Sequence, residues 1–169
     1  SVTLRWPLAQ CRIRTMKTRN ETRYIAVHCS ASPPSQDIGR EEIRAGHLAK
    51  GWADIGYHVI IRRSGTVDIG RAMDAVGAHV RGYNSVSLGI CLVGGVSEYG
   101  VPENNFTPNQ WTTLATVLRF CRLAYPESEI KGHRDFSPDV DGSGAIERDE
   151  WLKECPCFDV EGFVNGLGI

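Results

Sequence analysis

Between Gly132 and Val160 the chain reads GHRDFSPDVDGSGAIERDEWLKECPCFDV, and two kinds of metal chemistry are written into that stretch. His133 and Cys155 offer an imidazole and a thiolate, ligand types that zinc takes. Between them, Asp139, Asp141, Ser143, Ala145, Glu147 and Glu150 fall at the oxygen-donor positions of a twelve-residue EF-hand loop. Gly144 stands at its sixth position, where the chain must turn sharply, and Ile146 is the apolar residue usual at the eighth. Oxygens at this spacing suit calcium. The competing interpretation is an acidic surface turn with no metal, since no entering helix precedes the loop. Bound calcium would neutralise Asp139, Asp141 and Glu150, and Glu150 would pin a short helix carrying Trp151 toward Lys153 and Cys155.

A catalytic zinc needs three protein ligands and an open position for water, whose pKa it lowers to about 7. The third ligand has to come from elsewhere in the chain. His28 ends the strand-like run Tyr24–Cys29 (YIAVHC), beside a Ser-Ala-Ser-Pro-Pro loop, and binding groups collect at such strand ends. A satisfied buried histidine is the alternative there. With five histidines and six cysteines in the chain, the residues alone leave the triple open. Cys157, two residues after Cys155, could replace it as a ligand but not join it.

These side chains need a scaffold. Alternation along residues 24–29 puts Ile25, Val27 and Cys29 on one face and Tyr24, Ala26 and His28 on the other. A helix is predicted over about 39–50, with Glu41 and Glu42 in its first turn and Gly51 as its stop, which leaves His47 in a structural or surface role. Residues 56–63, a Ser-Gly turn and residues 66–68 form a strand pair, in which Tyr57 and His58 point to opposite faces. Residues 77–85 are a polar loop leading into a buried strand over 87–93. Thr107, Pro108 and Gln110 start a helix as N-cap, first-turn proline and capping-box partner, and Trp111, Leu114, Ala115, Leu118, Cys121 and Tyr125 make its apolar stripe. A brief strand over 129–131 and a helix over 159–167 follow. Strands interspersed with helices give an α/β fold, one domain with a central mixed sheet flanked by helices.

The bulk properties narrow the function classes. A chain of 169 residues with 41% hydrophobic residues, 23% charged residues and a net charge of -1 gives no support for a nucleic-acid partner or a membrane-binding patch. No apolar run reaches the length of a membrane span. The first residues are basic and lack the apolar core of a secretory signal. Met16 is a plausible alternative start, and residues 1–22 are expected to be a poorly ordered extension to a domain over 23–169. The cysteines do not form a disulfide pattern: Cys29, Cys91 and Cys121 lie within apolar patterns, as buried free thiols do.

The segments YIAVHCSA, GWADIGYHVIIRRSGTV, VGAHVRGYNSVSLGICLVGG, NFTPNQ, GHRD and KECPCFD occur in the order seen in zinc amidases of the bacteriophage T-seven lysozyme type. From Tyr24 to Val160 the chain thus resembles the type 2 N-acetylmuramoyl-L-alanine amidases, to which the peptidoglycan recognition proteins are related. The resemblance implies zinc on His28, His133 and Cys155, with Tyr57 and Lys153 assisting catalysis. It implies a muropeptide groove touching His79 and Asn84, and bacterial peptidoglycan as the substrate. Hydrolysis would fall on the amide between N-acetylmuramic acid and L-alanine, inside a monomer made in the host cytoplasm before release to the wall. A non-catalytic peptidoglycan-binding module is the alternative, and inhibition of an RNA polymerase is a second role the resemblance suggests. The acidic loop over 139–150 is where the chain departs from the lysozyme pattern, and so is Cys157.

Overall fold

The computed structural model describes residues 16–169. Tyr24–Cys29 forms strand β1, buried along nearly its whole length, as an uncharged apolar run flanked by neighbours on both sides should be. It lies between two parallel partners, β4 (Ser87–Leu92) and β5 (Glu129–Gly132). On the far side of β4 runs β2 (Val59–Ile61), also parallel, and β3 (Val67–Ile69) closes that edge antiparallel to β2. The order across the sheet is β3-β2-β4-β1-β5. Parallel neighbours need crossovers, and helices α1 (Arg40–Ala49) and α2 (Pro108–Ala124) occupy two of them. Helix α3 (Val160–Leu167) ends the chain. This is the mixed α/β domain expected.

The two faces of the sheet have different fates. Ile25, Val27, Leu88, Ile90, Leu92, Val59 and Ile61 pack with Leu114, Leu118 and Cys121 of α2 and Val160 and Val164 of α3 into the main core. The alternate residues face the other way. There Ile60 packs with Ile43 of α1 and with Ile55, while His28 and His58 are buried polar groups on that side.

Helix α2 starts as the capping box predicts: the Thr107 hydroxyl accepts from Gln110 N (3.2 Å) and Gln110 Oε1 accepts from Thr107 N (3.0 Å). Gln110 does more than cap. It is fully buried, and its Nε2 donates to the carbonyls of Ile61 (3.1 Å) and Val93 (2.8 Å), fastening the helix to the sheet.

Two expectations are corrected. The extension does not run to residue 22. Thr18 bridges to Ala75, Lys17 O accepts from Val76 N (2.8 Å), and the buried Arg19 donates to the carbonyls of Met73 (2.6 Å) and Ala75 (3.0 Å). A buried guanidinium is tolerable only with its donors satisfied, so these residues are built into the domain. Residues 1–15 lie outside the described residues, and with them the rest of that expectation. Nor does a helix carry Trp151: Arg148–Glu150 is a single 3-10 turn, and irregular turns lead on to Cys155.

Candidate metal centre

Strand register brings the two histidines together. Val27 of β1 pairs with Gly132 of β5, so His28 and His133 are the next residues on adjacent parallel strands. Their Nδ1 atoms lie 3.1 Å apart. Just there the chain leaves β5 for a 3-10 turn, His133–Phe136, held by Asp135 Oδ2 accepting from Gly132 N (2.7 Å). Cys155 reaches the same point through two backbone donors: Arg134 N donates to its carbonyl (2.8 Å) and Cys29 N to its sulfur (3.2 Å). Gly132 makes the approach feasible, since a Cβ there would stand 2.8 Å from Pro156 Cδ.

One ligand atom from each of His28, His133 and Cys155 lies within 4.8 Å of the other two. A zinc ion with bonds of about 2.0–2.1 Å to nitrogen and about 2.3 Å to sulfur holds its donors roughly 3.3–3.7 Å apart. The donor set also suits the ion chemically, as two imidazoles and a sulfur that already accepts an N–H bond. Burial, then the neighbouring His79, His133 and Lys153, holds His28 well below the usual histidine pKa. Burial, then Lys153, lowers His133 to about 4. Both rings are therefore neutral at ordinary pH, the form that binds metal.

Tyr57 and Lys153 complete the surroundings. The Tyr57 ring stands 5.2 Å from that of His28, centroid to centroid. Burial first, then the Cys91, Cys155 and Cys29 sulfurs, pushes its phenol well above the usual value, so it acts as a hydrogen-bond donor. Lys153 lines a cleft of about 430 Å³ together with Trp52, Arg81, His133, Phe136 and Leu152. Its segment is fastened by the Arg134 guanidinium stacked 3.9 Å from the Trp151 ring and by Leu152 N donating to Ser137 Oγ (3.0 Å). The pairing of Arg134 with Trp151 has no sequence signature, because a cation and an indole seventeen positions apart carry no local signal.

His79 and Asn84 lie on the wall of the same cleft, but the bonds they make are internal. His79 Nδ1 is 3.0 Å from His28 Nε2, and Asn84 Oδ1 accepts from the backbone N–H of His79 (2.7 Å) and Val80 (2.9 Å). Cys157 stays outside the ligand group, with its sulfur donating to the Gly95 carbonyl (3.1 Å).

The acidic loop is exposed and forms a second carboxylate cluster, in which oxygens of Asp139, Asp141 and Glu150 lie within 4.8 Å of one another. Asp139 accepts from Gly142 N (2.7 Å), Ser143 N (3.1 Å) and Gly144 N (2.9 Å), while the Ser143 hydroxyl donates toward Glu147 (3.2 Å) and the Ala145 carbonyl (3.2 Å). The loop thus closes on its own backbone.

A family model for N-acetylmuramoyl-L-alanine amidase matches residues 18–156. The endolysin of Enterobacteria phage K11 is 48% identical over 147 residues, 87% of this chain and 88% of that protein. The endolysin of Escherichia phage T7 is 42% identical over 145 residues, 86% and 87% of the two. Among solved structures, the N-acetylmuramoyl-L-alanine amidase LysC from Clostridium intestinale URNW superposes with a TM-score of 0.70 at 26% identity, over 91% of this chain and 90% of that one.

Proposed function

The chain belongs to the N-acetylmuramoyl-L-alanine amidase family, and from that premise we propose how its residues divide the work of cutting peptidoglycan. The bond is the amide between the lactyl group of N-acetylmuramic acid and L-alanine of the stem peptide, and the site of action is the bacterial cell wall. The main support is the convergence of His28, His133 and Cys155 beside the cleft that Lys153 lines. These three would hold zinc, which when bound supplies a Lewis acid and activates water near neutral pH.

The other residues manage charge. Water adding to the scissile carbonyl leaves negative charge on its oxygen, and catalysis requires donors already aimed at that charge. The Lys153 ammonium, on the cleft wall, is one such donor and can pass a proton to the departing amine. The Tyr57 hydroxyl, kept protonated by burial, is the other. Trp52, Phe136 and Leu152 give the cleft apolar surface for the substrate to lie on, with Arg81 at its rim for the acidic groups of the stem peptide.

Purified sacculi treated with the protein should release stem peptides with newly exposed alanine amines and no new reducing ends. Reducing ends without free peptides would mean a glycosidase. Cys155→Ser should lower zinc content and reduce activity by more than about 100-fold, because a ligand matters at least as much as its outer partners. Full zinc and activity in that variant would remove Cys155 from the site.

For residues 139–150 we propose calcium as a structural ion, on the agreement of ligand positions with the EF-hand loop and the nearness of three carboxylates. Its role would be confined to the loop and the turns between it and Cys155.

A further inference from the structure

The ring of His79 is buried in a slot built for it. A Cβ on Gly89 of β4 would come within 2.7 Å of its Cδ2 and Cγ, and one on Gly77 within 2.4 Å of its Cδ2. Contacts so short are essentially never made, so both positions are committed to leaving the imidazole room. Its backbone is fixed as well, by Asn84 Oδ1 accepting the N–H groups of residues 79 and 80. The ring lies between two polar partners, His28 Nε2 at 3.0 Å and Ser87 Oγ at 3.4 Å, and a neutral imidazole offers them one N–H and one lone pair.

The partners decide which nitrogen carries it. The Ser87 hydroxyl donates to the Tyr83 carbonyl (2.8 Å), which leaves its oxygen as acceptor for His79 Nε2, 3.4 Å away. His79 Nε2 is then the N–H, and Nδ1 the lone pair. His79 Nδ1 lies 3.0 Å from His28 Nε2, so His28 must donate there. With its proton on Nε2, His28 has a bare Nδ1, the atom directed at His133 Nδ1. The chain of bonds from Tyr83 O through Ser87 and His79 thus ends in a histidine with its ligating lone pair already facing the metal position.

We propose that His79 is a positioning residue, which fixes His28 as the Nε2–H tautomer and turns its Nδ1 lone pair toward His133 and Cys155. The proposal rests on the zinc reading of those three residues. The hydrogen bond does two things: it selects one of two tautomers that would otherwise interconvert, and it holds the ring at the angle the metal requires. Histidine ligands commonly depend on such an outer partner, whose loss costs about 10–100-fold in metal affinity or activity. Here the partner is a second histidine rather than a carboxylate, so the site gains orientation without added negative charge.

Two measurements test it. In the metal-stripped full chain, ¹⁵N-resolved NMR of the ring nitrogens should find His28 protonated on Nε2 alone; a proton on Nδ1 with Nε2 bare would overturn the proposal without any variant. The second compares zinc affinity, by chelator competition, among the unmodified protein, His79→Phe and His79→Asn. Phe fills the slot without an acceptor, while Asn places an amide oxygen where Nδ1 was. His79→Phe should bind zinc about 10–100-fold more weakly and lose the fixed His28 tautomer, and His79→Asn should recover most of both. Unchanged affinity in His79→Phe, or equal losses in both variants, would overturn the positioning role while leaving the zinc ligands standing. Failure of the unmodified protein to bind zinc would overturn the metal reading and this proposal together.

Discussion

Tyr57 and Lys153 look unremarkable as residue types, an aromatic at a strand entrance and a lysine between Leu152 and Glu154. The chemistry proposed for them rests on what surrounds them. Tyr57 is held beside His28 with its proton retained by burial and nearby sulfurs, so replacing it by Phe removes one hydroxyl and little else. Tyr57→Phe should lower kcat on soluble muropeptide by about 10²–10³-fold, the usual cost of one donor to a developing oxyanion, with zinc content unchanged. A kcat within twofold of the unmodified enzyme would take the hydroxyl out of the mechanism. His79 teaches the converse lesson. The family resemblance implies substrate contact for it; it lines the cleft, and its ring nitrogens lie against His28 and Ser87.

At the scale of elements, the segment from Glu150 to Cys155 decides how Lys153 and the sulfur are presented. No helix carries it; the Arg134–Trp151 stack and the Ser137–Leu152 bond fasten it to the turn that bears His133. Calcium at the acidic loop would act on stability more than on chemistry, because its carboxylate ligands form a group separate from His28, His133 and Cys155. At 100 times its Kd, a bound ion adds about 2.7 kcal/mol, which corresponds to a rise in Tm of roughly 5–10 °C for a domain of this size. Differential scanning calorimetry of the zinc-loaded protein with and without calcium should show that rise, and Asp139→Asn should abolish it. A Tm indifferent to calcium would leave the loop an acidic turn closed by its own backbone bonds.

Across the whole molecule, four of the five histidines, His28, His58, His79 and His133, form one cluster of rings, with centroid separations of 4.6 Å for His28–His133, 5.0 Å for His28–His79 and 5.6 Å for His58–His79. All four have lowered pKa values, chiefly through burial. The consequence is acid lability. His58, lowered to about 4 against 6.5, takes up its proton more readily in the unfolded chain. Its contribution to stability is complete above about pH 6.5 and is lost as pH falls toward 4, amounting to about 2 kcal/mol by pH 5. Urea unfolding of the metal-stripped protein should therefore show ΔG falling between pH 7 and 5, with a shallower fall in His58→Gln. Parallel slopes in the two proteins would exclude His58 as a source of the pH dependence.

Much of this was legible in the chain as written. A strand ending in His28, a capped helix from Thr107 and a His–Cys pair bracketing an acidic loop are local patterns, and local patterns are set by side-chain periodicity and by caps that act within four residues. The family motifs carried the ligand set further than spacing alone could. What the sequence could not decide is which distant groups meet. The β1–β5 register that sets His28 beside His133, the glycine clearance that seats His79, the reach of Gln110 to two strand-end carbonyls and the inclusion of Arg19 in the domain all depend on packing between segments far apart in the chain. Their partners are chosen by burial and hydrogen-bond satisfaction in three dimensions, and no window of sequence contains both halves of the contact.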